Sequence, residues 1–182
     1  GYNGSEALVT QQVAADGGVK QTKYDIHGGA RALIDELNRT TTQLFDGMGR
    51  VTQVSRAGGL IDSYAYDGLG QRLKHWNNVL GAGDVETTDY DTQGRVIKSR
   101  AFGGDITTTS YVWDGSIAAS GMGVTTGGWT QVTTMANGRT ATEKSDIFGR
   151  TTWKSDLGGH VTSYAYDLAG RQASSTMGGL AA

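Results

Sequence analysis

Residues 45–71 read FDGMGRVTQVSRAGGLIDSYAYDGLGQ, and residues 145–171 read SDIFGRTTWKSDLGGHVTSYAYDLAGR. Laid over one another at an offset of 100, they agree at 13 of 27 positions, including the run from Ser63 to Asp67. A chain that carries such a copy of itself folds as a row of similar units, each burying its surface against its neighbours.

A shorter unit lies inside the copy: an aromatic residue, Asp, two variable residues, Gly, then Arg. It is intact at Phe45-Asp46-x-x-Gly49-Arg50, Tyr90-Asp91-x-x-Gly94-Arg95 and Tyr166-Asp167-x-x-Gly170-Arg171. Tyr66-Asp67-x-x-Gly70 continues into Gln71, and Asp146-x-x-Gly149-Arg150 follows Ser145 where an aromatic is due. Tyr24-Asp25 has two extra residues before Arg31, and Trp113-Asp114 is the most eroded copy. The aspartates at 25, 46, 67, 91, 114, 146 and 167 lie 21, 21, 24, 23, 32 and 21 residues apart. A Gly-Gly pair follows the Asp by 12 residues at Gly58-Gly59, Gly103-Gly104 and Gly158-Gly159, and by 13 at Gly127-Gly128. Each unit thus holds two turn signals.

Between the turns the sequence alternates and is rich in Val, Thr and Tyr, as in Val161 to Tyr166 and Ile106 to Trp113. Those residues suit a pleated surface, so each unit reads as a β-hairpin. The Asp carboxylate can accept a hydrogen bond from the N–H two residues on and close the turn. The Gly supplies the positive φ that the loop exit needs. The Arg that opens the return strand is expected to lie over a Tyr ring of a neighbouring unit. The expected fold is all-β: stacked antiparallel hairpins at a period of about 21 residues, with about 12 to 14 strands in a curved sheet. Ala30 to Asn38 has apolar residues at 30, 33, 34 and 37. That spacing allows a helical turn where an irregular return strand is due. Gly115 to Gly138 fills the longest interval with a wide loop or an extra hairpin.

Composition narrows the function classes. With 29 glycines and no proline, and no three-residue period, the chain is not collagen-like. Zero cysteine removes disulfides, thiolate chemistry and cysteine-ligated metals. A net charge of −2 argues against a nucleic-acid partner. No stretch reaches the 18 or so apolar residues of a membrane span. The first residues carry neither an initiator methionine nor a signal-peptide pattern. Residues 1–182 therefore read as a single repeat segment of a larger chain.

Site chemistry is sparse. Each repeat Asp stands alone among glycine and apolar neighbours, which favours a turn role over calcium. Asp84, Glu86 and Asp89 form a closer acidic group that reads as a solvated edge. His27, His75 and His160 fit no metal-binding or catalytic spacing. The glycines of Gly121-Met122-Gly123 and Gly47-Met48-Gly49 are turn residues, not a phosphate cradle. No catalytic residue, metal site or cofactor is expected. Tyr64, Trp76, Trp113, Trp129 and Trp153 are expected mainly to pack, although exposed rings of this kind can stack on sugars.

The Tyr-Asp-x-x-Gly-Arg unit, in seven intact or eroded copies from about Tyr24 to Arg171, resembles the YD-repeat, or Rhs-repeat, family of large bacterial proteins. The resemblance implies a β-sheet that spirals into a hollow shell enclosing a toxin domain, as in Rhs polymorphic toxins and insecticidal toxin complexes. It also implies a secreted or cell-surface bacterial protein. The family's proline-containing closing segment has no counterpart here. The function expected from this resemblance is a non-enzymatic wall segment whose partners are the rest of its own chain and an enclosed cargo polypeptide. The alternative is an extracellular adhesion module that binds glycans. Edge-to-edge self-association is expected, because a stack of hairpins ends in unpaired strand edges and neither Gly1 nor Ala182 lies near a capping sequence.

Overall fold

The computed structural model describes residues 2–3, 8–81, 83–119, 121 and 124–180; the chain ends at Gly1 and Ala182, and Met122-Gly123, lie outside the described residues. Every helix or strand among the described residues is a β-strand. In order they are β1 (Tyr2–Asn3), β2 (Leu8–Val9), β3 (Gln11–Val13), β4 (Val19–Tyr24), β5 (Ala30–Ile34), β6 (Thr40–Phe45) and β7 (Val51–Ser55). β8 (Ile61–Tyr66), β9 (Arg72–Asn77), β10 (Glu86–Tyr90), β11 (Val96–Arg100), β12 (Ile106–Asp114) and β13 (Ala118–Ala119) follow. The last are β14 (Val124–Thr125), β15 (Gly128–Thr134), β16 (Thr140–Asp146), β17 (Thr151–Ser155), β18 (His160–Tyr166) and β19 (Gln172–Leu180).

Fifteen strands form one sheet in the order β19-β18-β17-β16-β15-β12-β11-β10-β9-β8-β7-β6-β5-β4-β3. Sequence neighbours are sheet neighbours except where β12 pairs with β15 across the inserted β13 and β14. The count exceeds the expected 12 to 14 because β3 adds an edge strand and every turn signal yields a separate strand pair. β1 and β2 pair on their own. So do β13 and β14, which form an extra hairpin inside the long interval after Asp114. The chain divides into two compact units. The first runs to Thr87 and includes Phe102–Gly104, and the second holds Thr88–Ala101 and the residues from Asp105 onward.

The helical alternative at Ala30 to Asn38 is overturned. Ala30–Ile34 is strand β5, and the chain then turns through Asp35 to Asn38. Asn38 has φ 61°, a conformation Asn tolerates better than most residues, and takes the place glycine holds elsewhere. The apolar spacing came from a strand running into a turn.

The turns also impose a repeated irregularity. Leu44 pairs with Gln53 while Phe45 pairs with Val51, so Thr52 is an extra residue on the return strand. Ala65 and Tyr66 show the same shift against Lys74 and Arg72, as do Lys144 and Ser145 against Trp153 and Thr151. Such bulges add local twist and re-aim the side chains beside the turn.

Little of this fold is a core. Among the described residues the only buried apolar side chains are Val54, Ile117 and Ala119. Ile117 and Ala119 belong to the extra hairpin and its root. A sheet with so thin an interior must draw stability from its ladders and from side-chain ties along its faces.

Candidate functional site

Asp46 shows how a repeat turn is built. Its N–H donates to the Arg50 carbonyl at 2.9 Å, and the Gly49 N–H donates to the Asp46 carbonyl at 3.0 Å. Its Oδ1 accepts from the N–H groups of Met48 at 2.9 Å and Arg50 at 3.0 Å, and its Oδ2 accepts from Arg50 Nε at 2.7 Å. Asp25, Asp91 and Asp146 repeat the pattern with Arg31, Arg95 and Arg150. Asp167 pairs with Arg171, whereas Asp67 has only the backbone N–H groups of Leu69 and Gln71. Asp114 keeps a partial turn, accepting from Ser116 N–H at 2.9 Å.

Two further aspartates, at the other ends of the strands, form the same turn. Asp35 accepts from Arg39 N–H and Arg39 Nε, and Asp156 accepts from the N–H groups of Gly158 and His160. The spacing in Asp35-x-x-Asn38-Arg39 carries that signal once Asn is allowed in the glycine position.

These bonds favour the ionised carboxylate. The backbone N–H four residues on is the main cause holding Asp25, Asp35, Asp46, Asp156 and Asp167 below the ordinary aspartate range, with the Arg or His partner adding to it. At Asp91 the largest influence is burial, which pushes upward, but Arg95 outweighs it through backbone, side chain and charge.

The arginines then reach the next unit. Arg50 lies 4.8 Å from the Tyr66 ring centroid and donates through Nη1 to the Asp67 carbonyl at 2.8 Å. Arg150 lies 4.8 Å from Tyr166, and Arg31 lies 4.7 Å from Phe45. Tyr66 and Tyr166 in turn donate their hydroxyls to the carbonyls of Val51 and Thr151, 15 residues back, both at 2.8 Å. Tyr24 does the same to Val9 on β2, at 2.8 Å.

In the eroded unit the stacking ring is Tyr111, 4.1 Å from Arg95, and not Trp113. Trp113 instead meets Trp129 edge-on at 5.4 Å. Trp76, Trp113 and Trp129 are part-exposed, at 39%, 47% and 39%.

The histidines and the acidic group are not placed as the sequence suggests. His75, on β9, sits between two carboxylates: Nε2 is 3.0 Å from Asp62 Oδ1 on β8, and Nδ1 is 2.7 Å from Glu86 Oε2 on β10. Tyr64 stacks on the imidazole at 4.8 Å, and Phe102 meets its edge at 5.0 Å. Arg56 pairs with Asp62, which is only 6% exposed. Glu86 is thus a partner of His75, and Asp84 accepts from Gly103 N–H at 2.7 Å, so the expected solvated edge survives only at exposed Asp89. The two carboxylates stand at opposite ring nitrogens and converge on no common point. Among the described residues no group of three or more His, Asp or Glu is arranged to hold a metal ion. The link could have been read from the alternation, since Asp62 and Tyr64 share a face and Tyr64 pairs with His75, which pairs with Glu86. It needed the bulge beside Tyr66 to be counted correctly.

No family model and no curated protein matches the chain. Among solved structures, the chain is similar to crystal structures of TcdB2-TccC3. One is TcdB2-TccC3-TEV, with 16% identity over 92% of this chain and a TM-score of 0.50. Another is TcdB2-TccC3 without its hypervariable C-terminal region, with 16% identity over 94% and a TM-score of 0.51. The chain spans 11% of the length of either. At this identity the likeness is one of fold.

Proposed function

We propose that this chain is a non-enzymatic stretch of a toxin-complex-type β-shell wall, which encloses a cargo polypeptide in a secreted or cell-surface bacterial protein. The observation that carries the proposal is the strand order. Fifteen strands follow one another across the sheet without a crossover, so the sheet lengthens in step with the chain. A sheet built this way can be extended unit by unit into a wall far longer than any packed core would support. The likeness to TcdB2-TccC3 supports the same reading. The wall acts by exclusion: paired strands, most of them joined by tight turns, screen what lies behind them.

Limited proteolysis of the full-length parent tests this. The cargo should resist digestion while the wall is intact and become sensitive when Arg50→Ala and Arg150→Ala weaken it. Digestion of the cargo at the rate of the isolated polypeptide would contradict the proposal. The second reading, an adhesion module, is favoured by the part-exposed Trp76, Trp113 and Trp129. Glycan-array binding that is lost in Trp129→Ala would move the balance to it.

A further inference from the structure

His75 has a carboxylate oxygen at hydrogen-bond distance from each ring nitrogen. A neutral imidazole carries one N–H and one lone pair, so it can donate to one carboxylate and must turn the lone pair toward the other. Only the imidazolium donates to both. The surrounding charges match that form. Arg56, from the turn before β8, and protonated His75, on β9, face Asp62 on β8 and Glu86 on β10, two cations against two anions. The remaining neighbours are rings: Tyr64 from β8 and Phe102 from the turn after β11. Arg72 stands over Tyr64 at 6.0 Å, Asp84 is engaged by Gly103 N–H, and Lys74 alternates to the opposite face. With His75 neutral, the cluster carries an uncompensated negative charge beside the nearly buried Asp62.

The position matters as much as the charge. β9 and β10 are joined through two residue pairs, Glu86 with His75 and Thr87 with Lys74. The other ladders described in this sheet have three to seven. The His75 cluster therefore bridges the shortest described seam. The copy at 145–171 lacks it, since Thr162 stands where Asp62 does and Ser175 where His75 does.

We propose that His75 is a proton-operated fastening of the β9–β10 seam. Protonated, it ties β8, β9 and β10 together. When the proton leaves, Asp62 stays with Arg56, Glu86, whose side chain is 35% exposed, turns to water, and the seam loosens. The sign follows from the two contacts: only the doubly protonated ring donates to both carboxylates, so the full tie belongs to the acid side and is lost when the ring gives up a proton as pH rises. Its meaning for release of a cargo rests on the wall reading above; the fastening itself does not.

Amide hydrogen exchange on the whole 182-residue chain tests it, with rates corrected for the intrinsic effect of pH. Between about pH 6 and about pH 8.5, protection of residues 72–77 and 86–87 should fall by about tenfold or more relative to the β6–β7 ladder, the loss expected for one charge-assisted hydrogen bond. Nitrogen NMR should show both His75 ring nitrogens protonated at the lower pH. His75→Gln should hold the seam at the lower protection at both pH values, and Glu86→Gln, the milder change, should also abolish the pH dependence. Equal protection at both pH values in the wild type, a neutral ring at the lower pH, or wild-type pH dependence in Glu86→Gln would overturn the proposal. None of these outcomes bears on cargo protection, so a failure here is distinct from failure of the wall reading.

Discussion

Each repeat aspartate works as the hub of its turn, and Asp46 makes five hydrogen bonds within the five residues from Asp46 to Arg50. Glycine at the loop exit is required for its backbone: Gly70 has φ 88° and Gly170 has φ 78°, with only a distant arginine tip within 4 Å of the position a Cβ would take. Gly170→Val should therefore cost about 1–3 kcal/mol in urea unfolding through backbone strain alone. Gly68→Ala, in the same kind of loop but without positive φ and with open space around it, should stay within about 0.5 kcal/mol of wild type. Equal stability for Gly170→Val and wild type would show that the loop tolerates a side chain. The aspartates make a second prediction. The carboxyls of Asp25, Asp46 and Asp167 are held low in the folded state, so the stability they supply is complete above the unfolded value of 3.8 and drains away as pH falls through the folded values. The urea midpoint should hold steady from about pH 6 to about pH 5 and drop steeply below about pH 4. A midpoint unchanged down to about pH 3 would count against the hub role.

Between elements, the tie that matters is the arginine that leaves one turn and rests on the ring of the next. Arg50 combines an ion pair with Asp46, a stack on Tyr66 and a bond to the Asp67 carbonyl. Arg171 has its ion pair with Asp167, but its side chain is 81% exposed. Arg50→Ala should cost about 1–3 kcal/mol and Arg171→Ala less than about 1 kcal/mol, measured side by side by chemical denaturation. Arg50→Lys should recover little, because an ammonium cannot fork between carboxylate and carbonyl while lying flat on a ring. Equal costs for the two alanine variants would mean the stacks add nothing. Much at this scale was legible in the sequence: the Asp-to-Gly spacing, the hairpin period and the arginine over a neighbouring ring follow from residue chemistry. The turn at Asp35 was hidden because Asn38 takes the place of glycine, and the His75 cluster because the bulge beside Tyr66 shifts the register by one residue. A one-residue shift reverses which face a side chain occupies.

For the whole molecule, a chain with three buried apolar side chains among its described residues, Val54 alone of them in the large sheet, holds together through repetition, and the sheet's edges stay open to more of the same. β19 ends the sheet order, and Gln172 to Gly179 along it are exposed. Such an edge pairs readily with another strand. Sedimentation across a concentration series should therefore show self-association, and a monomer at every concentration would mean that the edge is protected. The period visible in the sequence fixes the strand order, because each hairpin has only its sequence neighbour to pair with. What such a wall would enclose has no signal in these residues, since a surface that excludes need not match what it holds. Cryo-electron microscopy of the full-length parent protein addresses the central claim most directly. The account predicts residues 8–180 as one strip of a closed β-wall with cargo density against one face. A sheet with solvent on both faces and no enclosed polypeptide would contradict it.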